Sequence, residues 1–92
     1  MKLVFNLNQD RWVAEFEATA DFNLHIEGVK TGNVSVFQRG SAEGKYAFVV
    51  GSTPAPSYGT IYDYDFSALV YPKYIRVSCA TEPTMAVVTF AE

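Results

Sequence analysis

The residues able to do chemistry in this chain are few. There is one histidine, His25, and one cysteine, Cys79, and the carboxylates Asp63 and Asp65 stand two positions apart. On an extended strand that spacing puts both carboxylates on one face, about 6.8 Å apart. Such a pair could serve glycoside hydrolysis, or could hold calcium with Asp21 and Glu27 completing an oxygen cage. The four positions do not follow the spacing of an EF-hand loop. The competing reading is a solvated strand face whose charges discourage edge pairing. His25 falls among the outward residues of its own strand, which predicts a solvated strand histidine. His25 and Cys79 supply too few ligands for a zinc site. No Gly-x-Ser-x-Gly elbow occurs, and the loop holding Gly40 and Gly44 lacks the Gly-Lys-Ser/Thr ending of a phosphate loop. The expectation is no catalytic residue, no metal and no cofactor.

The aromatic residues carry more signal, at 15% of the chain. Tyr58, Tyr62, Tyr64, Tyr71 and Tyr74 exceed what so small a core can hold, so part of the set is expected at the surface. Tyr58, Tyr62, Tyr64 and Tyr74 are the candidate contact residues. They would dock on another protein or stack on a sugar, with Asp63, Asp65 or Arg76 as hydrogen-bonding partners. The alternative is that each covers a sheet end or edge.

The elements that must position these residues are strands. Apolar and polar residues alternate over Arg11–Thr19, Asp21–Val29, Asn33–Arg39, Lys45–Val50, Ile61–Phe66, Tyr74–Cys79 and Met85–Phe90, with a further short candidate at Lys2–Asn6. Polar or glycine- and proline-rich stretches separate them: a turn over Asn6–Asp10, a corner between Gly28 and Gly32, a hairpin loop over Arg39–Gly44, a long irregular stretch over Gly51–Gly59 and a turn at Glu82-Pro83. This pattern predicts one all-β domain over residues 1–92, an antiparallel β-sandwich of jelly-roll type with seven to eight strands. Cys79 follows Ile75 and Val77 in the inward register, so it reads as a small core hydrophobe.

Charge and composition exclude several functions. The net charge is −3 and the seven basic residues are scattered through the sequence, which argues against nucleic-acid binding. No run approaches the ~18 apolar residues of a membrane span. The apolar start Met1–Phe5 ends at Asn6, too early for the core of a signal peptide. A single cysteine allows no intrachain disulfide.

Two stretches carry a resemblance. Gly32-Asn33-Val34-Ser35-Val36-Phe37-Gln38-Arg39-Gly40-Ser41 with Gly44-Lys45-Tyr46-Ala47-Phe48-Val49 is one, and Tyr71-Pro72-Lys73-Tyr74-Ile75-Arg76-Val77 is the other. Together they resemble small jelly-roll proteins of phage virions (auxiliary capsid, head-decoration and fibre modules) and, more loosely, galactose-binding or discoidin-like modules. The resemblance implies a non-enzymatic virion protein, assembled in the host cytoplasm, bound to capsid or fibre subunits and present as a homo-oligomer or in many copies. A chain starting at Met1 with no leader fits that expectation. The alternative is a carbohydrate-binding β-sandwich module that takes a glycan.

Overall fold

The computed structural model describes residues 1–30, 32–51 and 60–91. Eight strands are present: β1 (Asn6–Asn8), β2 (Arg11–Ala18), β3 (Phe22–Val29), β4 (Val34–Arg39), β5 (Ala47–Gly51), β6 (Thr60–Phe66), β7 (Lys73–Cys79) and β8 (Met85–Phe90). They form a five-stranded sheet, β1-β2-β7-β4-β5, and a three-stranded sheet, β6-β3-β8, antiparallel throughout. The leading residues extend the smaller sheet. Lys2 bridges to Val87, and Leu3 N–H donates to the Ala86 carbonyl at 3.0 Å. With that segment included, the sheets run leading segment–β8–β3–β6 and β1–β2–β7–β4–β5, which, apart from the short edge strand β1, is jelly-roll order. The all-β sandwich expected from alternation is the fold of this chain.

Alternation explains why each strand sits where it does. Ala14 and Ala18 of β2, Leu24 and Ile26 of β3, Val34 and Val36 of β4, Ile75, Val77 and Cys79 of β7, and Ala86 and Val88 of β8 all point between the sheets and are buried. Burying a Val, Leu or Ile side chain contributes roughly 1.5–3 kcal/mol. One end of the core is aromatic. Phe22 stacks on Phe66 with centroids 4.9 Å apart, and Phe16 meets Phe22 edge-on at 5.2 Å.

Two backbone details depart from the expected boundaries or refine them. The turn expected over Asn6–Asp10 is narrower, because Asn6–Asn8 pairs with β2 as β1. Only Gln9 and Asp10 turn, with φ of 48° and 67°, and Asn8 lies opposite Arg11. Left-handed angles at both central residues are the two-residue hairpin geometry whose twist matches the strands. The corner at Gly28 is a bulge where pairing with β6 shifts register between Glu27 and Val29. Gly28 has φ of 81°, and a Cβ there would lie 2.0 Å from Thr84 Oγ1. Glycine is needed twice over, for the backbone angle and for the approach of the β7–β8 connection.

Candidate functional site

The register fixes which side chains face outward on each sheet. On the five-stranded sheet the outward set includes Val13 and Glu15 of β2, Tyr74, Arg76 and Ser78 of β7, and Ser35, Phe37 and Arg39 of β4. Phe48 of β5 lies opposite Phe37. All three arginines of the chain, Arg11, Arg39 and Arg76, belong to this face.

Arg11 fastens one side of the face. Its Nε donates to Ser78 Oγ at 2.8 Å, Nη1 to Asn33 Oδ1 at 2.7 Å and Nη2 to the Ser78 carbonyl at 3.0 Å. This joins the start of β2 to the end of β7 and the approach to β4, and it gives the buried Ser78 hydroxyl its partner.

The centre of the face is Tyr46, which enters from the loop between β4 and β5. The guanidinium carbons of Arg39 and Arg76 lie 4.4 and 4.3 Å from its ring centroid. Arg39 also lies 5.7 Å from the Tyr74 ring. The Tyr46 hydroxyl donates to Glu15 Oε2 at 2.7 Å, and Arg76 Nη2 reaches the same oxygen at 3.4 Å. The Tyr46 hydrogen bond, aided by the positive charge of Arg76, holds the Glu15 carboxyl below its usual range. Burial, with that same hydrogen bond to Glu15, raises the Tyr46 hydroxyl. Arg39 donates only a long 3.4 Å bond to the Gly44 carbonyl and forms no ion pair among the described residues. Phe37 and Phe48 meet edge-on at 5.8 Å, and Phe48 is 62% exposed. Beside Phe37 the face dips into a shallow depression of about 210 Å³ that reaches Arg11 and Arg76.

The outer face of the three-stranded sheet is of opposite character. Asn23, His25 and Glu27 of β3 stand beside Ile61, Asp63 and Asp65 of β6. Asn23 Nδ2 donates to Asp63 Oδ1 at 2.7 Å and to Asp65 Oδ1 at 2.8 Å. His25 lies between two carboxylates, with Nδ1 2.7 Å from Asp63 and Nε2 2.7 Å from Glu27. Those hydrogen bonds, Glu27 first and then Asp63, raise the imidazole above its usual value. His25 and then Asn23 hold the Asp63 carboxyl low. Both ring nitrogens are engaged by carboxylates, so the imidazole has no vacant nitrogen for a substrate proton. Asp63 and Asp65 face open solvent on this sheet, and no cluster of three or more His, Cys, Asp or Glu able to hold a metal occurs among the described residues.

The three candidate tyrosines among the described residues, Tyr62, Tyr64 and Tyr74, do not come together. Tyr62 is only 9% exposed and belongs to the core, where burial pushes its hydroxyl up to about 12 and leaves it with no hydrogen-bond partner among the described residues. Tyr64 also faces inward, packed half-buried against the core. Asp63 and Asp65 take the outward positions of β6, so the tyrosines between and beside them must point in. Tyr62 is therefore a core residue and not a docking anchor. Tyr74 lies on the other sheet, next to Arg39. Tyr58 lies outside the described residues. Tyr71 donates from the chain segment before β7 to the Asp21 carboxylate. Cys79 is fully buried, and burial pushes its thiol up to about 12.

Sequence reasoning passed over Tyr46, Arg39 and Phe48. Arg39 and Phe37 share the outward parity of their strand, and that was the available signal. Compared with known proteins, the chain matches no family model, no curated protein and no solved structure.

Proposed function

We propose that the protein is a non-enzymatic structural module, an accessory subunit of a virion capsid or fibre, that docks through the outer face of its five-stranded sheet. The observation that carries this reading is the arrangement around Tyr46, with two guanidinium groups held over one ring beside the exposed Phe48. Tyrosine and arginine dominate the energetics of protein interfaces. An arginine already seated on an aromatic ring loses less side-chain freedom on binding than a free one. Phe37 and Phe48 add apolar area next to these charges, which is the make-up of an interface centre. The virion setting draws on the resemblance of the two sequence stretches and on the jelly-roll order, which recurs in capsid and lectin domains. Fold alone does not assign function, so the docking face carries the argument.

The test is retention on particles. Tagged protein produced in the native host should sediment with the high-mass particle fraction. The double variant Arg39→Ser/Phe48→Ser should remain in the supernatant while melting like the unmodified protein. Unmodified protein found wholly in the supernatant, or a double variant that still sediments, would sink the proposal.

A carbohydrate-binding reading draws on Phe48 as an open ring. Tyr46 offers less to a sugar, because guanidinium groups already lie over it. A glycan-array signal that Phe48→Ala abolishes would move the function there.

A further inference from the structure

The two outer sheet faces are complementary in charge, spacing and apolar content. The five-stranded face holds every arginine of the chain alongside Glu15 and Glu17, and Arg39 on it has no ion-pair partner among the described residues. The three-stranded face holds Glu27, Asp63 and Asp65 around His25, with Lys2 bridged to its β8 edge, and Asp65 forms no ion pair among the described residues. Arg39 and Arg76 occupy diagonal positions across β4 and β7, since Arg39 pairs with Tyr74 and Phe37 with Arg76. Diagonal neighbours on a sheet are about 7–8 Å apart. Asp63 and Asp65, alternate residues on one strand, are about 6.8 Å apart. Both faces also carry large exposed apolar side chains, Phe48 at 62% on the first and Ile61 at 71% with Met85 at 38% on the second.

We infer that the partner of the arginine face is the acidic face of a second copy of this chain, so that copies stack head to tail. This deepens the docking reading and rests on the five-stranded face being the docking face. The two patches lie on opposite sides of a two-sheet sandwich whose shortest extent is 21 Å, so no copy can satisfy its own. A contact between two different patches is heterologous and propagates into an open stack or closes into a ring. A copy seated on a host surface by its arginine face presents its acidic face to the next copy, which accounts for many copies from one docking event.

The test is sedimentation velocity on the purified full chain. Unmodified protein should self-associate at about 0.01 M salt and become monomeric at about 1 M, where screening shortens the reach of surface charge to about 3 Å. Asp65→Arg and Arg39→Glu should each weaken association by at least ~100-fold, because like charges then meet. An equimolar mixture of the two variants should assemble again, since each supplies the complement that the other needs. A monomer at low salt overturns the inference, as do variants that associate normally, or a mixture that stays monomeric. Particle retention by a protein that never self-associates removes the stack and leaves the docking reading. Self-association without particle retention does the reverse.

Discussion

His25 stands opposite Asp63 across the β3–β6 ladder, and its Nδ1 lies 2.7 Å from the Asp63 carboxylate. Glu27 engages the other ring nitrogen, so the imidazolium form is favoured from both sides. The stabilisation from His25 is fully present below about pH 6.5, the ordinary histidine value, and is lost as pH rises through the raised folded value. Asp63 works in the other direction. Its contribution is present above about pH 3.9 and is lost as pH falls through its lowered folded value. The ladder is therefore most stabilising in the acid-to-neutral window between these limits. The chain has a single histidine, so NMR titration reads it without ambiguity. Its midpoint should lie above that of free histidine, and His25→Gln should flatten the alkaline side of a melting-temperature profile. A midpoint at or below the free value would refute the ladder.

Arg11 serves as a fastener between strands. Arg11→Met keeps much of the stem but removes the bonds to Ser78 and Asn33. Net hydrogen bonds to charged groups contribute about 1.5–3 kcal/mol, and the buried Ser78 hydroxyl would lose its partner. Urea unfolding should show a loss of about 2 kcal/mol, with an unchanged slope. A loss indistinguishable from zero would mean that solvent replaces the guanidinium at no cost.

Tyr62 offers a test with the opposite sign. Its hydroxyl is buried without a partner among the described residues, and such a group costs about 1–3 kcal/mol. Tyr62→Phe should be neutral or stabilising, by up to ~2 kcal/mol, and should leave particle retention intact. A destabilised variant would show that the hydroxyl has a partner, and lost retention would return Tyr62 to the surface.

At Gly28 the backbone itself is the constraint. Gly28→Ala forces a side chain into a left-handed conformation at a cost of about 1–3 kcal/mol, and its methyl meets Thr84. Adding Thr84→Gly should relieve the collision and leave the backbone penalty. If the double variant is no more stable than the sum of the two single ones, the close approach is not what limits this position.

Cys79 should be inert in the native protein. With the thiol fully buried and pushed up to about 12, little thiolate exists at neutral pH. A disulfide reagent should label it only after denaturant is added. Rapid labelling of native protein would contradict the burial.

The alternation of apolar and polar residues was enough to read the sandwich, because period-2 runs have one solution once both sheets need an inner face. It placed Val77 and Cys79 in the core and His25, Asp63 and Asp65 outside. The same parity should have turned Tyr62 and Tyr64 inward, since they alternate with those aspartates. Counting aromatics obscured what the register already contained. The Tyr46 cluster was hidden for a different reason. Its members come from β2, β4, β7 and the β4–β5 loop, and only the pairing order brings Glu15, Arg39 and Arg76 to one place. Strand order is a property of tertiary connection and leaves no local trace. The turn expected over Asn6–Asp10 is present but confined to Gln9-Asp10, and its two-residue form was not legible because neither residue is glycine.

The position of β7 bears on how the protein is made. β7 lies between β2 and β4, and those two strands have no hydrogen bonds to each other. During synthesis, the larger sheet can hold only two separate hairpins until residues 73–79 have emerged. β8, later still, then completes the smaller sheet against β3. Nascent chains would thus carry incompletely paired sheets until β7 and β8 emerge, and maturation would await residues 73–90.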